Sequence, residues 1–134
     1  MQFAMKTDYA IRTVLYLAVK DGEGHPIPSG EISENMKVSK QYLQKVIKGL
    51  KDAEIVGSCE GSGGGFYLRK RPKEIRLLEI IQTMESTTRL NRCLEEDRYC
   101  SRFAAESCSV RKCYIAIQKE MEDKLSNMTV EDLL

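Results

Sequence analysis

The sequence lacks any long apolar run. Hydrophobic residues make up 42% of its 134 positions, but no stretch approaches the roughly 18 apolar residues that a membrane-spanning helix needs. The first residues, "MQFAMKTDYAIR", contain neither an extended apolar segment nor a small-residue cleavage site, so we expect no signal peptide. These absences predict a cytoplasmic protein that has no membrane partner.

Histidine is nearly absent as well. The one histidine, His25, belongs to the turn sequence "GHPIP" and is expected at the surface. A Ser-His-Asp set around such a residue is excluded, and no pair of carboxylates stands out, so we expect no enzyme. The glycine-rich stretch "GSGGGF" at 61–66 is not followed by Lys-Ser or Lys-Thr, which excludes a nucleotide-binding P-loop.

The charges nearly cancel over the whole chain but are unevenly divided. The sequence has 21 Lys and Arg against 20 Asp and Glu. Residues 1–72 hold 11 of the bases and 8 of the acids, whereas residues 73–134 hold 10 and 12. We expect two regions with these bounds: a DNA-binding domain over 1–72, and a sensor and dimerisation region over 73–134.

The spacing of apolar residues predicts three helices in the first half. The first begins after Thr7, a plausible N-cap, and runs to about Lys20, with Ile11, Val14, Leu15 and Ala18 on its buried face. The glycines and prolines of residues 21–30 predict a break, and Ser29 marks the start of a short helix over "GEISENM". Together with the third helix, which is cationic and bears amides, this short helix forms a pair joined by a tight turn, as is typical of a helix-turn-helix.

That third helix is predicted from Lys40 to about Asp52, with Ser39 as its N-cap. Its apolar stripe repeats at helical spacing, and its other face has lysines and amides but no acid before Asp52. Lysines neutralise phosphates, and Gln or Lys near the helix start can reach base edges in the major groove. A solvated basic face is the alternative. The stripe is Leu43, Val46, Ile47 and Leu50; the predicted DNA contacts are Ser39, Lys40, Gln41, Tyr42, Gln44, Lys45 and Lys48.

The glycine-rich stretch lies between two β-prone segments, "EIVGSC" and "FYLRK", which predicts a hairpin. A hairpin directly after a helix-turn-helix is a wing. Glycine allows its tip to adopt positive φ and to approach a phosphate or a narrow groove. We therefore expect Ser62, Gly63, Gly64 and Arg69 to contact DNA.

The second half has a helix predicted from about Lys73, preceded by Pro72, with Ile75, Leu77, Leu78 and Ile81 on its buried side. A long polar helix closes the chain, and its single apolar seam requires a partner, for which a second copy of the chain is favoured. The predicted dimer seam is Val110, Tyr114, Ile117, Met121 and Leu125, continued by Met128.

Four cysteines lie between these two helices or at the start of the second. Structural zinc usually takes thiols in close C-x₂₋₄-C pairs, and the first three of these cysteines form no such pair. Three spread thiols can instead surround an iron–sulfur cluster, in which each thiolate binds a different iron. Zinc, a metal-free thiol switch and free thiols remain alternatives, and Cys113 is expected to be buried in the seam. The cysteines are Cys93, Cys100, Cys108 and Cys113.

The ordered segments "TDYA", "YLQKVIKGL", "GSGGGFYL" and "MTVEDLL" together resemble the Rrf2 family of bacterial winged-helix regulators over nearly the whole chain. The resemblance implies a mainly α-helical fold with a small β-hairpin wing: a winged helix-turn-helix domain followed by a long C-terminal dimerisation helix. It also implies a homodimeric transcription factor that binds a palindromic operator in double-stranded DNA, and we expect it to act as a repressor.

Cluster-binding members of this family use three cysteines in the same loop, and Cys93, Cys100 and Cys108 stand at the matching positions. The resemblance thus implies a [2Fe-2S] or [4Fe-4S] cluster. Its fourth ligand would be Cys113, a small molecule, or Asp8 from the other subunit, since related members use an acidic residue there. A metal-free thiol-redox or metabolite-responsive regulator of the same fold, and a small iron–sulfur or redox carrier, are the competing functions.

Overall fold

The computed structural model describes residues 2–20 and 25–134. Along these residues the chain forms helices and one antiparallel hairpin, in agreement with the predicted fold class. The predicted break over 21–30 is described only from His25 onwards, since residues 21–24 lie outside the described residues. The main elements are α1 (Met5–Lys20), α2 (Ser29–Met36), α3 (Lys40–Asp52), β1 (Val56–Cys59), β2 (Gly65–Leu68), α4 (Leu77–Met84) and α5 (Ser109–Asn127).

Helix α1 is central, because it packs against α2, α3, α4 and β2. It begins at Met5, so the prediction that Thr7 is its N-cap is wrong: Thr7 lies inside the helix and is fully buried. Its buried face is also rotated from the predicted one. Val14 is buried as expected, whereas the other three predicted residues are only half-buried and the core is completed by Thr7, Ala10, Thr13 and Leu17.

Helices α2 and α3 form the predicted helix-turn-helix. Lys37 ends α2 in the left-handed conformation (φ 53°), and its N–H donates to the Glu34 carbonyl while the Val38 N–H donates to the Ser33 carbonyl. This pair of bonds closes the helix and turns the chain towards α3. The bounds of α3 are as predicted, and Ser39 caps it by accepting from the Tyr42 N–H at 3.1 Å. The predicted apolar stripe is buried.

The hairpin of β1 and β2 pairs Val56 with Leu68 and Cys59 with Gly65, which confirms the predicted wing. A third segment completes it. The N–H and carbonyl of Ile27 exchange hydrogen bonds of 2.8 Å with the carbonyl and N–H of Phe66. The wing is thereby attached to the chain just before α2.

The helix predicted from Lys73 starts later. Residues Pro72–Glu74 form one 3₁₀ turn, the next two residues are extended, and α4 begins at Leu77. The reason is a pairing that the sequence pattern did not indicate: the Val130 N–H donates to the Ile75 carbonyl, and the Leu77 N–H donates to the Met128 carbonyl, each at 2.9 Å. The buried residues of this part are therefore Ile75, Ile80, Ile81 and Met84, while Leu77 and Leu78 are only half-buried.

Helix α5 packs against α4 and against the 3₁₀ turn Arg92–Leu94. Its one buried residue is Gln118; its apolar side chains are exposed or half-buried in the single chain. Across the described residues, no helix is long and apolar enough to cross a membrane.

Candidate DNA-binding surface and cysteine loop

The face of α3 opposite the core is cationic and rich in amides. At about 100° per residue, five of the predicted contact residues fall on one side of the helix. All five are exposed, and so is the capping residue Ser39 at the helix start. Backbone N–H groups at a helix N-terminus attract phosphate, so this end of α3 favours an anion. The five residues are Lys40, Gln41, Gln44, Lys45 and Lys48.

Two predicted contacts have partners within the chain. The half-buried ring of Tyr42 packs edge-on against Tyr9 of α1, with 5.5 Å between the ring centroids. Lys48 forms an exposed ion pair with Asp52, with 3.0 Å between Nζ and Oδ2. Pairs of this kind contribute little to stability, so Lys48 remains available to a phosphate. Tyr42, in contrast, joins α3 to α1.

Two glycines at the wing tip, Gly63 and Gly64, have different surroundings. Gly63 has φ +76°, and a Cβ placed there would have no atom within 4 Å, so its surroundings are open. A Cβ on Gly64 would lie 2.4 Å from the Cys59 carbonyl oxygen. The hairpin itself therefore requires glycine at position 64, whether or not DNA is bound. Ser62 and Arg69 are exposed, and Arg69 lies 3.7 Å from a Glu54 carboxylate oxygen.

The start of α1 is bonded to the end of α4. The carboxylate of Glu85 accepts from the Ala4 N–H at 2.8 Å and from the Thr7 hydroxyl at 2.5 Å. The Thr7 hydroxyl, and next the Ala4 N–H, hold the pKa of Glu85 below its ordinary value. A carboxylate at this position also interacts favourably with the dipole of α1. Glu85 directly precedes the residues here called the cysteine loop, 86–108.

The cysteine loop brings its three predicted ligands to one cavity. Cys93, Cys100 and Cys108 all line an open cavity of about 390 Å³, together with Tyr99, Arg102, Arg111 and other residues of the loop and of the first turns of α5. Among the described residues, no three His, Cys, Asp or Glu side chains lie close enough to hold a single metal ion. The thiols are thus neighbours across a cavity and not a compact tetrahedral set.

Two of these thiols are in surroundings that favour the thiolate. Backbone N–H groups of Ala104 and then Arg102 lower the pKa of Cys100. The N–H of Arg111, 3.4 Å from the Cys108 sulfur, is the main cause that lowers the pKa of Cys108. Cys108 is also the N-cap of α5, where the helix dipole favours negative charge. Thiolate is the form that binds iron and other soft metals.

The middle of the cysteine loop is held by ion pairs within the loop itself. Arg92 forms two hydrogen bonds with the carboxylate of Asp97, and Arg98 pairs with Glu106 at 2.5 Å. Arg98 adopts a left-handed backbone conformation (φ 49°), which is uncommon for a residue with a side chain. The segment between Cys93 and Cys108 is therefore folded upon itself.

The ends of the cysteine loop are held by α5. The Gln118 side-chain oxygen accepts from the Leu90 N–H at 2.8 Å, and its Nε2 donates to the Thr88 carbonyl at 3.0 Å. One atom of the Glu122 carboxylate accepts from Gln118 at 2.8 Å and from Arg89 at 2.9 Å. Arg111 donates its Nε hydrogen to the Cys93 carbonyl at 3.0 Å. Side chains of one helix thus hold the loop backbone at 88, 90 and 93.

The predicted dimer seam is open in the single chain. Val110 and Ile117 are exposed and Tyr114, Met121 and Leu125 are half-buried. Cys113, expected to be buried in the seam, is exposed in the single chain; it is not one of the residues that line the three-cysteine cavity.

Asp8, the other predicted fourth ligand, also stands apart from the cavity in this chain. It is about half-exposed, and its Oδ2 lies 2.8 Å from a guanidinium nitrogen of Arg12. A place in the site of another subunit would require it to leave this ion pair.

Sequence reasoning missed Glu85, Arg111 and Gln118. A signal existed for the last two, because Arg111, Gln118 and Glu122 recur at steps of 7 and 4 and so share one side of α5. For Glu85 no local signal existed, since its partners lie about 80 positions away in the sequence.

Comparisons with known proteins identify a family and several relatives. The family described as "Rrf2: Iron-dependent Transcriptional regulator" matches residues 3–134. The HTH-type transcriptional regulator IscR of Pectobacterium atrosepticum is 28% identical over 134 residues, which are all of this chain and 79% of that protein.

Solved structures extend the likeness to the fold. A putative transcriptional regulator from Listeria innocua aligns with a TM-score of 0.83 at 28% identity, over 99% of this chain and 85% of that one. CymR, the global cysteine regulator of B. subtilis, aligns with a TM-score of 0.82 at 26% identity, over 99% and 95% of the two chains. With the winged helix-turn-helix and the family match over nearly its full length, this chain belongs to the Rrf2 family of transcriptional regulators.

Proposed function

We propose that this regulator is a homodimeric repressor whose binding to a palindromic operator is controlled by an iron–sulfur cluster, held by Cys93, Cys100 and Cys108. The observation that carries the proposal is the convergence of these three thiols on one cavity, within a loop that directly follows Glu85, the residue bonded to the start of α1. Residues 1–72 would read DNA, and residues 73–134 would sense and dimerise, with α4 of the second region packed against α1 and α3 of the first.

The DNA contacts divide by chemistry. Gln41 and Gln44 are exposed amides on α3 that can form bidentate bonds with adenine in the major groove. Lys40, Lys45 and Lys48 would bind phosphates on either side. Ser39 can donate its hydroxyl hydrogen to a phosphate while its oxygen caps α3, and the wing tip at Ser62, Gly63 and Gly64, with Arg69 behind it, would approach the neighbouring backbone. Tyr42 would affect DNA binding indirectly, because its contact with Tyr9 fixes the angle of α3 relative to α1.

The donor set fits an iron–sulfur cluster. The cavity has room for a group larger than one ion, and N–H groups point at the sulfurs of Cys100 and Cys108, which stabilises the thiolates. When bound, a cluster supplies a centre that changes its redox state or is lost on oxidation. The fourth ligand is proposed to be Asp8 of the second subunit or Cys113.

A short path of contacts leads from the loop to the DNA surface. Glu85 is bonded to the first turn of α1, and Tyr9 of α1 contacts Tyr42 at the start of α3. A change of the cysteine loop that moves Glu85 would therefore tilt α3. In the proposed dimer, shifts of this kind would alter the spacing between the two α3 helices that contact DNA.

The test is anaerobic purification followed by iron and sulfide analysis, visible spectroscopy and DNA binding. We expect iron and sulfide, a coloured protein, and operator affinity that falls as salt rises and changes when the cluster is removed. A colourless, iron-free protein that still binds DNA would overturn the cluster and leave the regulator. Absence of DNA binding at low salt would overturn the regulator and favour a carrier.

A metal-free, thiol-based or metabolite-responsive regulator is the second candidate. It is favoured by the likeness to CymR, the global cysteine regulator of B. subtilis, and by the lowered pKa of Cys100 and Cys108. Operator binding by the iron-free protein that responds to mild oxidation, and is restored by a reducing thiol, would support this candidate.

A further inference from the structure

We infer that Gln118 is a positioning residue of the cysteine loop: with Arg111 it fixes Cys93 relative to Cys108 before any metal is bound. The inference rests on the proposed role of these cysteines as ligands. It adds the contacts that fix the positions of two of them.

Only 4% of the Gln118 surface is exposed, and no other residue of α5 is buried. Its side-chain amide pairs with the loop backbone as a neighbouring β-strand would: it accepts from the N–H of Leu90 and donates to the carbonyl of Thr88. The second hydrogen of its Nε2 goes to Glu122, at 2.8 Å. A glutamine with three satisfied bonds in a buried place holds its partners rigidly.

Arg111 lies two turns before Gln118 on the same side of α5. Its Nε holds the Cys93 carbonyl, while its own N–H contacts the Cys108 sulfur. One residue thus bonds to two of the proposed ligands. Gln118 fixes the loop backbone at 88 and 90, a few residues before Cys93. Arg111 fixes the backbone at Cys93 itself.

Cys100 is placed differently. The N–H groups at its sulfur come from Ala104 and Arg102, which belong to the loop. The ion pairs Arg92–Asp97 and Arg98–Glu106 also join loop residues to each other. Cys93 and Cys108 are therefore set by the helix, whereas Cys100 is set by the fold of the loop.

The experiment compares Gln118→Leu with the wild-type protein. Leucine fills the same space but leaves the Leu90 N–H and the Thr88 carbonyl without their partner. In the metal-free dimer, we expect hydrogen exchange at Leu90 to rise at least about tenfold. After anaerobic reconstitution, we expect the lifetime of the cluster against a chelator to fall about tenfold, the lower end of the loss in metal affinity when a partner outside the ligands is removed.

Two variants serve as controls. Glu120→Gln lies on the opposite side of α5 and should change neither quantity. Ile32→Val, in the core at α2, should lower stability without changing either the exchange at Leu90 or the cluster lifetime. Should Gln118→Leu fail to fold, Gln118→Glu replaces it: the acceptor for Leu90 remains, the bond to Thr88 is lost, and the lifetime should still shorten.

Unchanged exchange at Leu90 in a folded Gln118→Leu protein would show that no such clamp exists. Faster exchange with an unchanged cluster lifetime would show that the clamp does not position the ligands; both outcomes overturn the inference. A wild-type protein that takes up neither iron nor sulfide would instead overturn the proposed cluster, while the exchange result still decides whether Gln118 holds the loop.

Discussion

The hydroxyl of Thr7, in the first turn of α1, donates to the carboxylate of Glu85, 78 positions further along the chain. The same carboxylate accepts from the Ala4 N–H. The acceptor of both bonds at the start of α1 thus comes from the residue that follows α4. The start of the cysteine loop and the start of the central helix are consequently one hydrogen-bonded unit.

Thr7→Val is expected to lower the free energy of unfolding by about 1.5–3 kcal/mol, since it removes a hydrogen bond to a charged group. Thr13→Val is the matched control. Thr13 is equally buried on α1, but its hydroxyl donates to the Tyr9 carbonyl within the helix, so its loss should have a smaller effect. Urea denaturation of both variants measures the difference, and equal effects would contradict the special role of Glu85.

The same bond predicts a dependence on acid. The pKa of Glu85 is lowered from its ordinary value of 4.5, mainly by the Thr7 hydroxyl. The stabilisation by this carboxylate is therefore complete above that value and is lost as the pH falls through the lower, folded pKa. Between pH 5 and 3 (about the range in which carboxyls titrate), wild-type stability should fall more steeply than that of Thr7→Val.

Tyr16 ties α1 to α2. Its hydroxyl donates to Glu31 at 2.6 Å, which is the main cause that raises its pKa to about 12. Tyr16→Phe should lower stability by about 1.5 kcal/mol at neutral pH. The contribution of Tyr16 is complete below pH 10, the ordinary value, and is lost as the pH rises through about 12. The two proteins should therefore converge in stability at high pH, while Tyr67→Phe should stay close to the wild type throughout.

Gln41 and Lys48 should affect DNA binding in different ways. Gln41→Ala should relax sequence preference, because a bidentate amide–base contact contributes about 1–3 kcal/mol of discrimination. Lys48→Ala should weaken all sequences alike and reduce the salt slope by about one unit. Binding titrations on operator and random DNA at several salt concentrations, with Lys112→Ala of α5 as control, measure both. Equal losses on both DNAs for both variants would refute the groove assignment.

Met121→Glu should shift the dimer towards monomer, because like charges would meet near the two-fold axis of the proposed seam. Lys112→Glu introduces the same side chain on the opposite face of α5 and should leave the dimer intact. Operator affinity should fall with dimerisation in the first variant only, since one winged helix makes half of the contacts. Sedimentation velocity decides, and a Met121→Glu protein that remains dimeric would place the seam elsewhere.

The fourth ligand can be assigned by comparing Asp8→Ala with Cys113→Ala, both purified without oxygen. A carboxylate is a harder and more weakly held ligand for iron than a thiolate, so an incoming diatomic gas could displace it. If Asp8 of the second subunit is the ligand, Asp8→Ala should alter the spectrum and the reaction with nitric oxide, and Cys113→Ala should not. Loss of colour in Cys113→Ala alone would assign the ligand to Cys113.

Local signals in the sequence predicted most of the DNA-binding half. Ser39 caps α3 because its hydroxyl reaches an N–H three residues on, and this depends on neighbouring residues alone. The start of α4 could not be found in this way. Pro72 does begin a helical turn, but backbone bonds from residues 128–130 keep Ile75 and Arg76 extended, and such a pairing has no local signature. For Gln118 the spacing on α5 could show a shared polar side, but not what that side bonds, because Thr88 and Leu90 lie about 30 residues away.

The contacts by which α5 holds the cysteine loop have a consequence for how such a protein can change. Gln118 and Arg111 bond to the backbone carbonyls at 88 and 93, which every residue has, and to the N–H at 90, which every residue except proline has. A change in the length of the segment between Cys93 and Cys108 costs little closure entropy, and the helix that holds the two ends need not change with it. The seven residues between Cys100 and Cys108 are therefore a region where evolution, or a protein engineer, can retune the sensor without redesigning the helix that supports it.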